Sequence, residues 1–361
     1  MNKTLQTFLN QLWKSIVFWT FAMVLWGMFR YFGIEDEPGV TISDDFQNDL
    51  HMTGILPLFT LAGFIMGILY AVVEFSFEKY KSKRLSIGLN ILVKTLIYLV
   101  LIVILSTSMI ELGSQLFGIE KNNDLGWWRQ DKSFWITVLY FLLTSLIFSF
   151  IKIANEKFGQ GVFLKMLLGT YKNPKEEKRI FMFLDLKSST TIAEALGHFR
   201  YSQLIQDCFY DLNAIVPKYA AEIYQYVGDE AVLSWPYQKG LAHNNCVALF
   251  FAFQALLKSR NSYYTEKYGT VPEFKAGLHG GRLMVAEVGV VKKELAFHGD
   301  VINTSARIQA ECNKHNVPVL ISEELKEDLQ IDSNYTTASI GNLLLKGKKK
   351  ALNVFTIAPI P

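Results

Sequence analysis

Four long apolar stretches lie in the first part of the chain, at residues 15–34, 54–73, 89–110 and 133–151. Each contains at most one charged side chain. A helix needs about 20 apolar residues to cross a hydrocarbon core of about 30 Å. The pattern therefore predicts four transmembrane helices. Because three further spans follow the first, we do not expect the first to be a cleaved signal peptide.

The polar segments between these stretches differ in charge. Segment 35–52 has six acidic residues and no lysine or arginine, whereas segment 76–88 and the residues after 151 are rich in lysine. Positively charged loops stay on the cytoplasmic side of a membrane. We therefore expect a multi-pass protein of the cell (inner) membrane whose N-terminus and entire second half are cytoplasmic. Four tryptophans are expected near one membrane interface: Trp26, Trp127, Trp128 and Trp135.

Two charged residues fall within or beside the apolar stretches. Glu74 and Lys94 each lie close to the cytoplasmic end of a predicted span. Snorkelling or mutual pairing would accommodate them, and a sensory role is the alternative. The sequence of this half shows no matched pair of Gly- or Pro-broken helices, which transporters often contain. We interpret it as an anchor in the lipid bilayer and as a candidate receptor.

The pattern changes to short alternating elements after residue 178. Residues 179–186 form an apolar run that predicts a buried strand. Residues 222–227 and 230–235 flank Gly228 and Asp229, a spacing typical of a β-hairpin. The other expected elements are helices at 189–196, 198–220, 241–264, 303–313 and 322–329, and strands at 273–283, 284–290 and 317–321. This order is typical of an α+β domain in which helices flank an antiparallel sheet.

The chain is thus expected to have three parts. Residues 1–155 would form the four-helix transmembrane domain, residues 156–177 a linker and residues 178–358 a cytoplasmic domain. The linker contains a short apolar stretch before Gly169 and Pro174, which fits an amphipathic coupling helix that ends at a turn. This helix would either transmit a signal from the membrane or pack on a neighbouring element.

Composition excludes several classes of protein. Half of the 361 residues are hydrophobic, 19% are charged and the mean hydropathy is +0.20, values that argue against a disordered chain and against an ordinary soluble enzyme. The net charge of +3 is too small for a dedicated nucleic-acid binder. The three cysteines are far apart, so they predict neither a disulfide framework nor a paired-cysteine zinc site.

Two aspartates are candidates for metal chemistry. Asp185 lies at the end of the predicted buried strand, before a loop of small residues that opens a helix. This placement suits a hard metal ion with phosphate on the backbone N–H groups. Asp229 lies at the tip of the predicted hairpin, where it can bring a second carboxylate against the first, and two carboxylates that share two metal ions are suited to phosphoryl transfer. Each aspartate also fits a structural role, in a helix cap or a turn.

Asn303 and Arg307 form a second candidate group. They are four residues apart in a predicted helix and therefore share one face. An amide and a guanidinium on one face can hold the ribose of a nucleotide and stabilise developing charge on phosphate. A solvated helix face is the alternative.

Four motifs together carry a resemblance to a known family. In order along residues 176–358, they resemble the class III nucleotidyl cyclase catalytic domain, an α+β fold. The motifs are Phe183-Leu184-Asp185-Leu186-x-x-Ser189-Thr190, Val227-Gly228-Asp229-Glu230, Gly277-Leu278-His279-Gly280-Gly281 and Gly299-Asp300-Val301-Ile302-Asn303-x-x-Ala306-Arg307. The membrane half carries no such signature.

The resemblance implies a role for each candidate residue. Asp185 and Asp229 would bind two Mg²⁺ or Mn²⁺ ions per site, with help from the Leu186 carbonyl. Asn303 would orient the ribose, and Arg307 would stabilise the transition state. The phosphates would be bound by the backbone of Lys187, Ser188, Ser189 and Thr190 and by the side chains of Lys275 and Lys346.

The resemblance also implies an assembly and a reaction. Such domains pair head to tail, so a homodimer with both sites at the subunit interface is expected. The implied activity is that of a membrane-bound adenylate cyclase, which converts ATP to 3′,5′-cyclic AMP and pyrophosphate for intracellular signal transduction.

The base specificity is the least secure part of this expectation. The positions that usually read adenine hold Gln225 and Ala296, where adenylate cyclases of the family usually have Lys and Asp or Thr. Gln225 can hydrogen-bond to a base edge, whereas the Ala296 side chain cannot. A cyclase of another nucleotide (GTP or a pyrimidine triphosphate) and a catalytically inactive nucleotide-binding receptor module are the alternatives.

Overall fold

The chain divides into two compact units, Met1–Lys157 and Phe158–Pro361. The computed structural model describes residues 3–33, 52–80, 87–117, 132–159, 162–329, 331, 334–348 and 350–360. Most of the acidic segment 35–52, together with Trp127 and Trp128, lies outside the described residues.

The described part of the first unit contains four long helices, each overlapping one of the apolar stretches. They are α1 (Lys3–Gly33), α2 (Met52–Tyr80), α3 (Ile87–Phe117) and α4 (Lys132–Phe158). By length and composition, all four are apolar enough to cross a membrane. Each helix extends beyond its apolar stretch at one or both ends and includes polar residues there.

Helices α1 and α2 pack against each other through glycine. A Cβ atom on Gly63 would lie 2.5 Å from Thr20 Cα, and one on Gly67 would lie 2.5 Å from Ile16 Cα. Small residues allow helix backbones in a membrane to approach this closely. Aromatic rings fill the rest of the bundle: Trp26 is buried against Tyr140 with ring centroids 4.7 Å apart, so it packs inside the unit instead of facing outward.

Three charged residues of the first unit, Glu74, Lys94 and Lys152, form a cluster. Glu74 is 5% exposed and Lys94 is 7% exposed, and Lys94 Nζ donates to Glu74 Oε2 over 2.7 Å. Glu74 also pairs with Lys152 and accepts a 2.5 Å hydrogen bond from Tyr98. The Tyr98 ring stacks on Tyr70 at 3.8 Å. The mutual pairing expected for Glu74 and Lys94 is therefore present, and α4 joins it through Lys152.

The second unit is a sheet of eight strands with helices on both faces. Its strands are β1 (Lys175–Leu186), β2 (Glu222–Val227), β3 (Glu230–Pro236), β4 (Phe274–Val288), β5 (Glu294–His298), β6 (Val319–Ser322), β7 (Tyr335–Leu343) and β8 (Leu352–Pro359). Its helices are α5 (Val162–Leu167), α6 (Ser189–Ile215), α7 (Tyr237–Leu241), α8 (Asn245–Ser259), α9 (Asn261–Tyr268), α10 (Asp300–His315) and α11 (Glu323–Asp328), with short 3₁₀ turns at Val216–Tyr219 and Ala242–Asn244.

The strand order is β2-β3-β1-β4-β6-β8-β7, and β5 pairs with one end of β4. The predicted α+β class is confirmed. The sheet is mostly antiparallel, but β4 and β6 run parallel because α10 crosses over between them. The prediction of two strands at 273–290 was wrong: β4 is continuous, and its hairpin partner is β5. Strands β5, β7 and β8 were not predicted.

The two faces of β1 are both buried. Ile180, Met182 and Leu184 pack with α6 and α8, whereas Phe181 and Phe183 pack in a second cluster with Val301 of α10. Side chains alternate between the faces of a strand. Asp185 therefore occupies the α10 face of the sheet, at the end of β1.

One further segment has the length and composition of a membrane span. It is Tyr237–Ser259, within the second unit. The 3₁₀ turn at Ala242–Asn244 interrupts it, and Phe250 and Phe253 are fully buried in the core of this unit. Packing in the domain core accounts for its apolar character.

Residues 158–177, which were predicted as part of a linker, belong to the second unit. The side chains of Leu164 and Leu167 in α5, and of Leu168 directly after it, are exposed. Tyr171, in contrast, is 3% exposed, and its hydroxyl donates to Glu177 over 2.8 Å. The backbone N–H of Glu287 donates to the Tyr171 carbonyl. The linker thus reaches β1 and β4 through Tyr171.

Candidate active site

Three charged residues form a row across three adjacent strands. Asp185 of β1 is the register partner of Glu230 on β3 and of Lys275 on β4. Direct partners in antiparallel strands have Cα atoms about 4.5–5.5 Å apart and side chains on the same face. Lys275 Nζ lies 3.1 Å from Asp185 Oδ2. The sheet register therefore places this cation and these carboxylates together.

Asp229 lies in the turn between β2 and β3, directly before Glu230. Gly228 allows the turn, since its φ of 62° lies in the left-handed region. Asp229 Oδ2 is buried and has no hydrogen-bond partner in the described part of the chain. The Tyr201 hydroxyl interacts with Asp229 and Ser189, and burial followed by the Asp229 charge raises the pKa of Tyr201 to about 12.

Register and chain order place the two aspartates near each other, because Asp229 directly precedes Glu230, the register partner of Asp185. Burial, and then the negative charges of Asp185 and Asp229, raise the pKa of Glu230 to about 7. Both aspartates also act on Tyr201. The fold thus brings together the strand end and the hairpin tip, as the sequence predicts.

The donor set at this point fits a hard divalent cation. Such ions bind carboxylate, carbonyl and water oxygens, and a buried carboxylate oxygen without a partner, as in Asp229, is rare unless an ion or water satisfies it. The described residues contain no cluster of three or more His, Cys, Asp or Glu suited to a metal, so two carboxylates would be the side-chain ligands. Leu186 has a buried side chain, which leaves only its main chain for such a role.

The loop after β1 leads into the N-terminus of α6. Ser188 has a left-handed φ of 57°, and α6 begins at Ser189. Lys187 is exposed and pairs with Glu273 over 3.3 Å, and Thr190 is exposed in the first turn of α6. Backbone N–H groups at such a helix start can bind phosphate.

Helix α10 carries the second predicted group. Asn303 is exposed and Arg307 is half-buried. Neither side chain forms a hydrogen bond or ion pair with another described residue. Gly347 lies beside the Arg307 guanidinium, since a Cβ there would lie 3.4 Å from Nη2. The exposed Lys346 directly precedes Gly347, so Lys346 and Arg307 lie in one region of the domain.

The base-reading positions lie on β2 and β5. Gln225 is exposed and follows an irregularity in β2, and Ala296 is half-buried opposite Ala286 of β4. Their neighbours Tyr224 and Phe297 have ring centroids 4.9 Å apart. The contact between these two rings brings β2 and β5 close together at this point.

Two polar contacts of the site were missed by sequence reasoning. Gln309 Nε2 donates to Asp185 Oδ2 over 3.0 Å, and Tyr201 interacts with Asp229. The only available signal was that Gln309 follows Arg307 in the same predicted helix, and spacing alone does not reveal its neighbour on the sheet.

Comparisons with known proteins agree with the fold. A family model for the adenylate and guanylate cyclase catalytic domain matches residues 171–358. A solved structure of a bacterial light-regulated adenylyl cyclase aligns with a TM-score of 0.53 at 18% identity, covering 67% of this chain and 72% of that one. At this identity, the alignment is a likeness of fold.

Two curated relatives match parts of the sequence. Adenylate cyclase 2 of Rhizobium meliloti (strain 1021) is 34% identical over 220 residues, which are 61% of this chain and 61% of the relative. The receptor-type guanylate cyclase gcy-7 of Caenorhabditis elegans is 23% identical over 188 residues, which are 51% of this chain and 17% of the relative. The chain therefore spans less than two thirds of either relative.

Proposed function

Because the chain belongs to the family of adenylate and guanylate cyclase catalytic domains, we propose that it is a membrane-bound adenylate cyclase that converts ATP to 3′,5′-cyclic AMP and pyrophosphate for intracellular signal transduction. The observation that carries the proposal is the convergence of Asp185 and Asp229, with the unpartnered buried oxygen of Asp229. The adenylate cyclase name of the Rhizobium relative supports the choice of ATP.

In the reaction, the ribose 3′-oxygen attacks the α-phosphorus. A bond from the 3′-oxygen to the α-phosphorus forms, the bond from the α-phosphorus to the oxygen bridging to the β-phosphorus breaks, the 3′-hydroxyl proton passes to solvent water and pyrophosphate leaves. Mg²⁺ or Mn²⁺ ions, two per site, held by Asp185, Asp229 and the Leu186 carbonyl would supply charge neutralisation and a lower pKa of the 3′-hydroxyl.

The other residues bind and orient the nucleotide. The backbone of Lys187, Ser188, Ser189 and Thr190 and the side chains of Lys275 and Lys346 would hold phosphate oxygens. Asn303 would fix the ribose. Arg307 would meet the charge that develops at phosphorus, and one such preorganised group typically contributes about 10²–10³-fold in rate.

A homodimer with sites at the subunit interface completes this arrangement. Successive residues of an α-helix are about 100° apart, so Arg307 and Asn303 lie about 160° and 120° around α10 from Gln309. Because Gln309 contacts the chain's own Asp185, Asn303 and Arg307 are directed elsewhere. In a head-to-tail dimer, Asn303 and Arg307 of one chain would lie beside Asp185 and Asp229 of the other. This arrangement would give two sites, one at each half of the interface.

The proposed cellular location rests on the charge of the segments that flank the apolar helices. We place the protein in the cell (inner) membrane with its N-terminus and cyclase domain in the cytoplasm, where ATP is available. Lysine-rich segments next to the spans support this orientation.

The test is a product assay with the full chain in detergent. Wild type with Mn²⁺ and ATP should yield cyclic AMP, identified by mass. Asp185→Asn and Asp229→Asn should each lower the rate by about 10²-fold or more. The matched control is Asp328→Asn, which removes a half-exposed carboxylate that pairs with Lys178 and should leave the rate near wild type. If ATP, GTP, CTP and UTP all remain uncyclised, the chain is an inactive nucleotide-binding module and the proposal is wrong.

A cyclase of another nucleotide is the second candidate. Gln225 and Ala296 favour it, since an alanine side chain cannot hydrogen-bond to adenine. A competition among the four triphosphates decides the matter. A preference for ATP of about tenfold, equal to about 1.4 kcal/mol, would remove this candidate, and Gln225→Lys with Ala296→Asp should increase the ATP preference.

A further inference from the structure

Gln309 of α10 is a buried amide in contact with the candidate metal site. It is 6% exposed, and its Nε2 donates to Asp185 Oδ2 over 3.0 Å. Buried polar groups in folded proteins are almost always hydrogen-bonded. Gln309 forms its hydrogen bond with Asp185, a carboxylate that the proposed function assigns to metal binding.

Both donors that reach Asp185 use the same oxygen. Lys275 Nζ lies 3.1 Å from Oδ2, the oxygen that also accepts from Gln309. In the described part of the chain, no side-chain donor is bonded to Oδ1. Because an ionised carboxylate accepts at both oxygens, this arrangement fixes the rotation of the group and leaves Oδ1 for a cation.

Backbone packing sets the position of Gln309. A Cβ atom on Gly277 of β4 would lie 2.6 Å from Gln309 Cα and 2.6 Å from the Ser305 carbonyl oxygen. Only glycine allows α10 to lie this close to β4 at this point. The Gln309 amide therefore reaches Asp185 from a fixed helix.

We infer that Gln309 is a positioning residue for metal binding, whose amide orients Asp185 so that Oδ1 is presented to the divalent ion. Groups that hydrogen-bond to metal ligands hold their orientation, and losing one typically costs about 10–100-fold in metal affinity. The inference rests on the proposed function, because it requires a metal at Asp185. Gln309→Leu removes the donor and keeps a side chain of similar size.

The experiment measures Mn²⁺ binding to the full chain in detergent, without nucleotide, from the loss of the free Mn²⁺ paramagnetic resonance signal. Gln309→Leu should weaken binding by about tenfold or more. It should raise the Mn²⁺ concentration for half-maximal cyclase activity by a similar factor, while saturating Mn²⁺ restores most of kcat.

Gln254→Leu is the matched control. The Gln254 amide donates to the Phe274 carbonyl of β4 and does not contact Asp185. It should lower the unfolding temperature without changing Mn²⁺ binding. An equal loss of Mn²⁺ affinity in both variants would assign Gln309 a general structural role and overturn the inference.

Two further outcomes separate this inference from the proposed function. Mn²⁺ binding by Gln309→Leu equal to that of wild type, with wild type active, would overturn the inference alone. A wild-type chain that neither binds Mn²⁺ nor cyclises any nucleotide would overturn the proposed function, and the inference with it.

Discussion

Lys275 and Asp185 are direct partners in the register of β1 and β4, and Lys275 Nζ lies 3.1 Å from Asp185 Oδ2. Both side chains are largely buried, so their charges interact in a medium of lower dielectric than water. Lys275 also opposes the rise in the pKa of Glu230 that burial and the two aspartates cause. The backbone of the sheet thus holds one cation in the same row as two carboxyl groups, those of Asp185 and Glu230.

Lys275→Met should lower cyclase activity by about 10²–10³-fold, because it removes a preorganised cation from the proposed phosphate site. Lys275→Arg keeps the charge and should retain more activity. The measurement is kcat/KM for ATP at saturating Mn²⁺. Lys258→Met, at an exposed position of α8, is the control. Equal activity of Lys275→Met and wild type would show that Lys275 does not touch the nucleotide.

Two inactive chains should complement each other if the sites lie between subunits. Co-expression of Asp185→Asn with Arg307→Ala should restore about a quarter of wild-type activity, since about half of randomly formed dimers are mixed and each has one complete site. Asp185→Asn with Asp229→Asn should restore none, because both changes affect the same half of a site. Activity in this second pair, or none in the first, would contradict the head-to-tail dimer.

Glu74 should matter more to the membrane unit than Lys94 does. Glu74→Leu leaves Lys94 and Lys152 without their carboxylate, and breaking a buried ion pair typically costs about 3–5 kcal/mol. Lys94→Leu leaves Glu74 paired with Lys152, so its cost should be smaller. Thermal unfolding of the full chain in detergent, followed by tryptophan fluorescence, compares the two. Equal losses would show that the cluster is not centred on Glu74.

Acid should destabilise the cyclase domain partly through His279. Burial, followed by the Lys348 charge, lowers the pKa of His279 to about 4 despite the nearby Asp300, and Glu324 lies 3.5 Å from Nδ1. Ser322 Oγ lies 2.7 Å from Nδ1. An unfolded histidine titrates near 6.5, so the unfolded state binds more protons between pH 6.5 and 4. Stability is therefore lost as the pH falls through this window, by about 2 kcal/mol at pH 5.

The variant His279→Gln cannot titrate and should show a shallower loss of unfolding temperature between pH 7 and pH 5. The control is His198→Gln, at an exposed position of α6, which should keep the wild-type slope. If His279→Gln also keeps that slope, protonation of His279 does not contribute.

The sequence pattern predicted those helices and strands that are determined by residues close together in the sequence. The bounds of β2 matched the prediction, and Gly197, expected between two helices, is a break within α6 with φ of 70°. Strand β4 is continuous but was predicted as two strands that meet after Leu283. Gly277 and Gly280 are small because Gln309 and Tyr237 approach them, a tertiary cause that periodicity cannot show. The pairing of β8 with both β6 and β7 depends likewise on distant register.

The candidate site shows the same difference between features set by local sequence and features set by tertiary packing. Motif spacing placed Asp185, Asp229, Asn303 and Arg307 in named elements, because each follows from a strand end, a turn or a helix face. The contact of Gln309 with Asp185 depends on how closely α10 lies on β4. No spacing within the sequence encodes that distance.

The contact of Gly63 and Gly67 with the α1 backbone bears on how the chain enters the bilayer. Backbones this close leave no space for acyl chains between them, so in the proposed membrane location α1 and α2 would present a single joint surface to lipid. We expect the two segments to leave the translocon and partition together as a helical hairpin. A leucine at either glycine would force α1 to partition alone, and integration of the first span would then depend on its own weaker hydropathy.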